Sequence, residues 1–419
     1  MSRGSVAVVG AGWAGLAAAV RAVEAGHRVT LFEMSALPGG RARAVEHDGL
    51  ALDNGQHILI GAYRRTLALM ATVGADADSL FCRLPLTLRY PDGRGLRLAG
   101  GPPVLAFVRA VAGCDGWTWA DRAALLTVAA GWAARGFRAD PGLTVDALCR
   151  RLPARVRELL IDPLCIAALN TPAIEASAAV LLRVLKDALF SGKGSADLLL
   201  PRRCLSAVLP EPALRWLAER GAELRLGTRA QQLERVGAAW HIDGDRYDAV
   251  VLACTAVEAA RLAGEIAPTW SRRAAALRYE PIVTVYLRCP GARLAAPMMA
   301  LASGPESPAQ FVFDHGALGS TAGLFAFVIS GARAWVEKGL DTAAAAVLHQ
   351  AEPLLPGATL VRTLAEKRAT FRCTPMLDRP PAEIAPRLLA AGDYVDGPYP
   401  ATIEGAVRAG EHAARRLSG

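Results

Sequence analysis

The chain opens with an uninterrupted apolar run at residues 6–9, followed at once by Gly10-Ala-Gly12-Trp-Ala-Gly15 and a stretch of Ala, Val and Leu. This order predicts a strand buried on both faces, a tight turn and a helix over 16–25 that stops at Gly26. A second strand over 28–33 follows. Alternation around Asp48-Gly49 predicts a hairpin over 44–52, and residues 62–73 carry helical spacing. Residues 84–98 read as paired strands across Pro91-Asp92-Gly93. From 103 to 189 the pattern changes to helices, at 104–111, 120–135, 145–151, 154–160 and 176–189. Residues 163–172 are a charge-free interruption between two of these helices, suited to lining an apolar cavity. The stripe Leu181, Leu182, Leu185 and Leu189 reads as core packing.

Beyond residue 198 the pattern returns to α/β. It predicts a helix at 210–221 and strands at 222–226, 232–242 and 247–254. Further strands are expected at 282–287, 310–313, 324–329 and 359–371, with a helix at 342–351, as a sheet backing the helical region. The chain closes with a strand ending at Gly392-Asp393 and an amphipathic helix starting at Ala401-Thr402.

Composition narrows the picture only at the margins. Across 419 residues, 53% hydrophobic content is ample for sizeable cores. The net charge of +8 comes from arginines spread without a basic tract, alongside only four lysines. No nucleic-acid partner is expected, and the functional reading of the charge is weak attraction to anionic lipid. Eight scattered cysteines without a CxxC pair suit reduced thiols in a cytoplasmic protein, and no metal is expected. The first strand begins too early for a signal peptide, and no run is long enough to span a bilayer. Any contact with the inner face of the membrane should be peripheral.

The opening motif carries the chemistry. Gly10 allows the turn, Gly12 lets backbone approach a pyrophosphate, and Gly15 lets helix and strand pack closely, with Trp13 and Ala14 at the helix start. Glu33 ends the second strand 23 residues beyond Gly10, where a carboxylate accepts bonds from ribose hydroxyls, and no arginine follows to hold a 2′-phosphate. Gly392-Asp393 before the last helix repeats this logic, so both chain ends should meet on one dinucleotide.

With Gly39-Gly40-Arg41, the loop Asp53-Asn-Gly-Gln-His57 and the close Gly392-Asp393 … Ala401-Thr-Ile-Glu-Gly-Ala406, the whole chain resembles the flavin amine oxidase and phytoene desaturase superfamily. Within it, residues 53–61, residues 163–172 with Ala-Leu-Asn-Thr-Pro172 as the narrower marker, and the helix from Ala176-Ser177 to Lys186-Asp187 look like the squalene-associated FAD-dependent desaturases, the hydroxysqualene dehydroxylases of hopanoid biosynthesis. The resemblance implies an α/β fold: a Rossmann-like FAD-binding domain (1–100, 198–264 and 381–419) with an inserted α+β substrate domain (101–197 and 265–380). It places Glu33 on the adenosine ribose, Ala230 at the adenine, Gly40 and Arg41 beside the pyrophosphate, and His57 and Ile58 near the flavin. Asp393 falls on the ribityl or pyrophosphate portion, and Thr402 and Ile403 face the ring.

The implied reaction is reductive loss of an allylic hydroxyl from hydroxysqualene, giving squalene. An acid protonates the leaving group, an allylic cation forms, and reduced flavin supplies hydride in a dry, apolar tunnel. His57 and Asp53 are candidate proton donors, Asp187 a more distant one. The expected partner is a hydrophobic polyprenoid; no second nucleotide fingerprint names the external reductant. Competing readings are a desaturase or oxidase of another polyprenoid, a flavin amine oxidase using Lys367, and a non-catalytic prenyl-binding protein.

Overall fold

The computed structural model describes residues 3–98 and 100–417. Residues 1, 2, 99, 418 and 419, assigned above to the FAD-binding domain, lie outside the described residues. The opening forms as β1 (Arg3–Val9), α1 (Trp13–Glu24) and β2 (His27–Glu33). Four later segments join the same sheet: β3 (Glu223–Leu226), β4 (Ala249–Leu252), β5 (Glu383–Ala385) and β6 (Leu388–Ala390). The strand order is β3-β2-β1-β4-β6-β5, parallel except for the last pair. Val6 to Val9 therefore lie between β2 and β4, which explains why the run is apolar without alternation.

The chain closes in α2 (Ile403–Leu417), which packs along α1. Their approach is so close that a Cβ on Gly410 would stand 2.1 Å from the Ala14 carbonyl oxygen. Small residues along α1 allow this contact, and it ties the two chain ends together. The predicted hairpin forms from Ala44–His47 and Leu50–Asp53, with Asp48 at φ 47° and Gly49 at φ 74° supplying the positive dihedrals of its two-residue turn.

A second, antiparallel sheet has five strands in the order Met298–Ala300, Phe311–Asp314, Leu324–Ile329, Tyr279–Arg288 and Thr359–Phe371. Alternation splits its central strand between two cores. Phe325, Phe327 and Ile329 pack in one core with the helix Leu340–Ala351, while Leu324, Ala326 and Val328 belong to the core shared with the helical region. That region includes the helices Pro103–Ala112, Trp119–Ala134, Asp162–Leu169 and Ala178–Phe190.

Two expectations are corrected here. Residues 163–172 are largely helix, because Pro163 sits in the first turn, where a missing N–H costs nothing, and a π-helical turn at Arg157–Ile161 leads into it. The helix ends at Asn170, held at φ 46°. The predicted helix at 145–151 is cut to Val145–Leu148, and the strand Met298–Ala300 and helix Pro268–Ala275 had no expectation.

Candidate cofactor and substrate cavity

One continuous cavity of about 810 Å³ runs from the glycine turn to the helical region. At its polar end Gly12 and Gly40 face each other, and a Cβ on Gly40, at φ 62°, would stand 3.3 Å from Gly12 Cα. Side chains here would close the cleft. Gly15 does not line it; its missing Cβ would stand 1.8 Å from the Gly10 oxygen, so its role is strand–helix packing. Gly12 caps α1 without a side-chain bond, leaving the first-turn N–H groups of Trp13 and Ala14 to face a ligand.

Glu33 lies in the same wall. Its Oε2 accepts from Ala11 N at 2.8 Å and its Oε1 from Ser35 N at 2.9 Å, which fixes the carboxylate at the end of β2. Ala230 is buried nearby, its carbonyl accepting from Arg261 Nη2 at 2.6 Å. From the other chain end, Gly392 and Asp393 reach the cavity, and Arg41 Nη2 bonds Asp393 Oδ1 at 2.5 Å while Nη1 donates to the Ala369 carbonyl at 2.7 Å. Thr402 caps α2 by accepting from Gly405 N at 2.9 Å, and Thr402 and Ile403 both line the cavity.

The loop between hairpin and cavity separates the two candidate acids. His57 and Ile58 face the cavity. His57 Nδ1 lies 2.8 Å from the Gly55 carbonyl oxygen; since a carbonyl only accepts, Nδ1 carries the proton and Nε2 is left with its lone pair. Burial, with Arg41 nearby, pushes the imidazole below its ordinary value against the opposing Gly55 bond, so the neutral ring presents an acceptor. Asp53 does not line the cavity. As the last residue of its strand it points into the core, where Oδ1 accepts from Leu205 N at 2.8 Å, and burial pushes the carboxyl up to about 7. The Asp53 carboxyl therefore stands behind the cavity wall, in the core beside the loop that carries His57.

The remaining wall is apolar. Leu181, Leu185 and Leu189 line the cavity together with Val180 and Val184, so the leucine stripe is a ligand wall as well as packing; Leu182 alone of the four faces only the core. Leu164, Ala167, Ala168 and Asn170 of the corrected helix line it too. Asn170 is held by Glu280 O, Thr370 Oγ1 and Gly331 N, at 2.7 to 3.0 Å.

Sequence reasoning missed Tyr63, Tyr399 and Glu366, all cavity residues. Glu366 accepts from Asn54 Nδ2 at 2.9 Å and so pins the His57 loop to the second sheet. Strand alternation turns Glu366 inward and the next residue, Lys367, outward to solvent; among the described residues no lysine lines the cavity.

A parallel dinucleotide-type sheet joined to an antiparallel sheet across one cavity defines a class of flavoenzyme. The family model for flavin containing amine oxidoreductase matches residues 13–418, and the chain belongs to that family. The protein is an FAD-dependent oxidoreductase. The glycine cleft, the uncapped helix start and the facing carboxylate fit that cofactor. Among individual proteins, the chain is 31% identical to hydroxysqualene dehydroxylase from Rhodopseudomonas palustris, over 98% of its own length and 97% of the relative's. It is 28% identical to hydroxysqualene dehydroxylase from Zymomonas mobilis, with 97% of each covered. An oxidoreductase structure from Methanosarcina mazei shares the fold, with a TM-score of 0.75, 16% identity and coverage of 97% and 99%.

Proposed function

We propose that this enzyme converts hydroxysqualene to squalene by reductive loss of the allylic hydroxyl, in squalene and hopanoid biosynthesis. The observation that carries the reading is the full-length similarity to hydroxysqualene dehydroxylases, matched by an apolar cavity continuous with the cofactor end. Similarity to zeta-carotene desaturase from Synechocystis covers only 17% of the chain. The amine oxidase reading loses support because Lys367 faces solvent.

The α1 amides and Gly40 would hold the pyrophosphate, Glu33 the ribose, Ala230 the adenine, and Asp393 with Arg41 the chain between phosphate and flavin. Bound in reduced form, FADH2 would supply hydride to carbon and, in the overall balance, the proton with which the hydroxyl leaves as water. The chain's own contribution is to orient the polyprene along the leucine wall and keep water from a developing allylic cation. His57, an acceptor at Nε2, is suited to orienting a ligand rather than to donating a proton. The strands drawn into the parallel sheet support the proposed division into an FAD-binding unit (1–100, 198–264, 381–419) and a substrate unit (101–197, 265–380).

Contact with an anionic membrane belongs to the same proposal. Among the described residues no helix is long and apolar enough to cross a bilayer. Val104, Val108 and Phe190 are both exposed and cavity-lining, which supports a cavity mouth that opens onto lipid. The test is anaerobic incubation of chemically reduced, flavin-loaded protein with hydroxysqualene. Squalene formation coupled to flavin reoxidation is expected; no product, beside efficient dehydrogenation of a carotenoid precursor, sinks the reading.

A further inference from the structure

Of the side chains that helix Ala178–Phe190 presents to the cavity, one is ionisable and out of keeping with its apolar neighbours. Helix Ala178–Phe190 presents Val180, Leu181, Val184 and Leu185 to the cavity, and then Asp187. Opposite stands Tyr399, on the loop that leads through Ala401 and Thr402 into α2, so the two residues meet where the substrate wall joins the cofactor end. Asp187 Oδ2 accepts from Arg183 Nε at 2.9 Å, which leaves Oδ1 to accept a further proton donor. The Tyr399 hydroxyl interacts with this carboxylate.

Two guanidiniums frame the pair. Arg183 Cζ lies 5.5 Å and Arg408 Cζ 4.7 Å from the centre of the Tyr399 ring. Two cations beside the ring disfavour an ammonium ligand, while Asp187 disfavours a carboxylate. What remains is a neutral group that both donates and accepts, at the end of a tunnel otherwise suited to hydrocarbon.

We propose that Tyr399 and Asp187 form the subsite that receives the alcohol oxygen of a hydroxylated polyprene. The phenol donates a hydrogen bond to that oxygen, and Asp187 Oδ1 accepts one from the alcohol O–H. This rests on the dehydroxylase reading and adds to it the residues that distinguish hydroxysqualene from squalene, the hydrocarbon that must leave. Arg183 and Arg408 hold the pair in place.

The experiment measures binding of hydroxysqualene and of squalene, each in detergent micelles, to oxidised holoenzyme through perturbation of the flavin absorbance. Tyr399→Phe keeps the ring beside the arginines and removes only the hydroxyl; Asp187→Asn keeps the shape and removes the charge. Each variant should lose roughly five- to tenfold in affinity for hydroxysqualene and leave squalene binding unchanged, with native flavin content. An unchanged ratio of the two affinities in both variants overturns the subsite. Native enzyme that forms no squalene when reduced overturns the dehydroxylase reading itself, a separate result.

Discussion

Arg41 and Asp393, 352 positions apart in the chain, are joined by a 2.5 Å ion pair on the cavity wall. The bond links the turn after β2 to the segment before α2, the two pieces expected to close over a pyrophosphate. Asp393 is nearly buried while a third of Arg41 is exposed, so the pair is worth about 2 kcal/mol rather than the larger figure for a fully buried bridge. Arg41→Ala should lower stability by that amount and leave the purified protein largely without flavin. Thermal melting and the flavin-to-protein absorbance ratio check this; full flavin content would mean that Arg41 is only a strut.

Asp53 gives the protein a pH dependence of its own. Its carboxyl has an ordinary value of 3.8 and is raised by burial to about 7, against the opposing bond from Leu205 N. Between those values the folded chain binds a proton that the unfolded chain does not, so this group's contribution makes stability fall as pH rises through the window, and the loss is complete above it. Asp53→Asn keeps an acceptor for Leu205 N and cannot ionise. Relative to the native protein, the variant should gain about 2–4 kcal/mol between pH 4 and pH 8. Parallel melting curves for the two proteins across that range would show that Asp53 does not titrate there.

The parts of this molecule readable in the sequence are those where backbone dictates residue type. Gly10 and Gly15 are required by turn and packing geometry, the run at 6–9 by burial on both faces, and Asp48-Gly49 by a turn of two positive dihedrals. The cavity was less legible, because a wall leucine and a core leucine obey the same spacing: Leu181 and Leu182 differ only in what stands opposite. The direction of the Asp53 side chain was hidden for a related reason. The residue lies next to a loop that does face the cavity, but strand alternation sends its side chain to Leu205, a partner 152 positions away that no local pattern announces. Tyr399 carried no signal at all until the fold set it beside Asp187.

Ala168 tests whether the wall is a substrate channel. It lies on the helix Asp162–Leu169, lines the cavity and contacts the main core only in part. Ala168→Trp would place a bulky ring in the hydrocarbon path, away from the glycine cleft. Turnover of hydroxysqualene should fall at least tenfold, and flavin content should stay native. Native turnover in the tryptophan variant would move the substrate path elsewhere.

Leu105 tests the membrane face without touching the cavity. On helix Pro103–Ala112 it is 43% exposed beside Val104 and Val108, but unlike them it does not line the cavity. A mouth ringed by exposed aliphatic side chains, with Arg109 and Lys193 exposed on the same segments, matches the interfacial pattern of an apolar patch with basic neighbours. Burying the exposed part of one leucine in lipid is worth about 1 kcal/mol, or roughly fivefold in partition. Leu105→Glu should reduce co-sedimentation with phosphatidylglycerol vesicles by at least that factor. Turnover of hydroxysqualene presented in detergent micelles should not change, since the cavity lining is intact. Equal sedimentation of variant and native protein would place any membrane contact on another face.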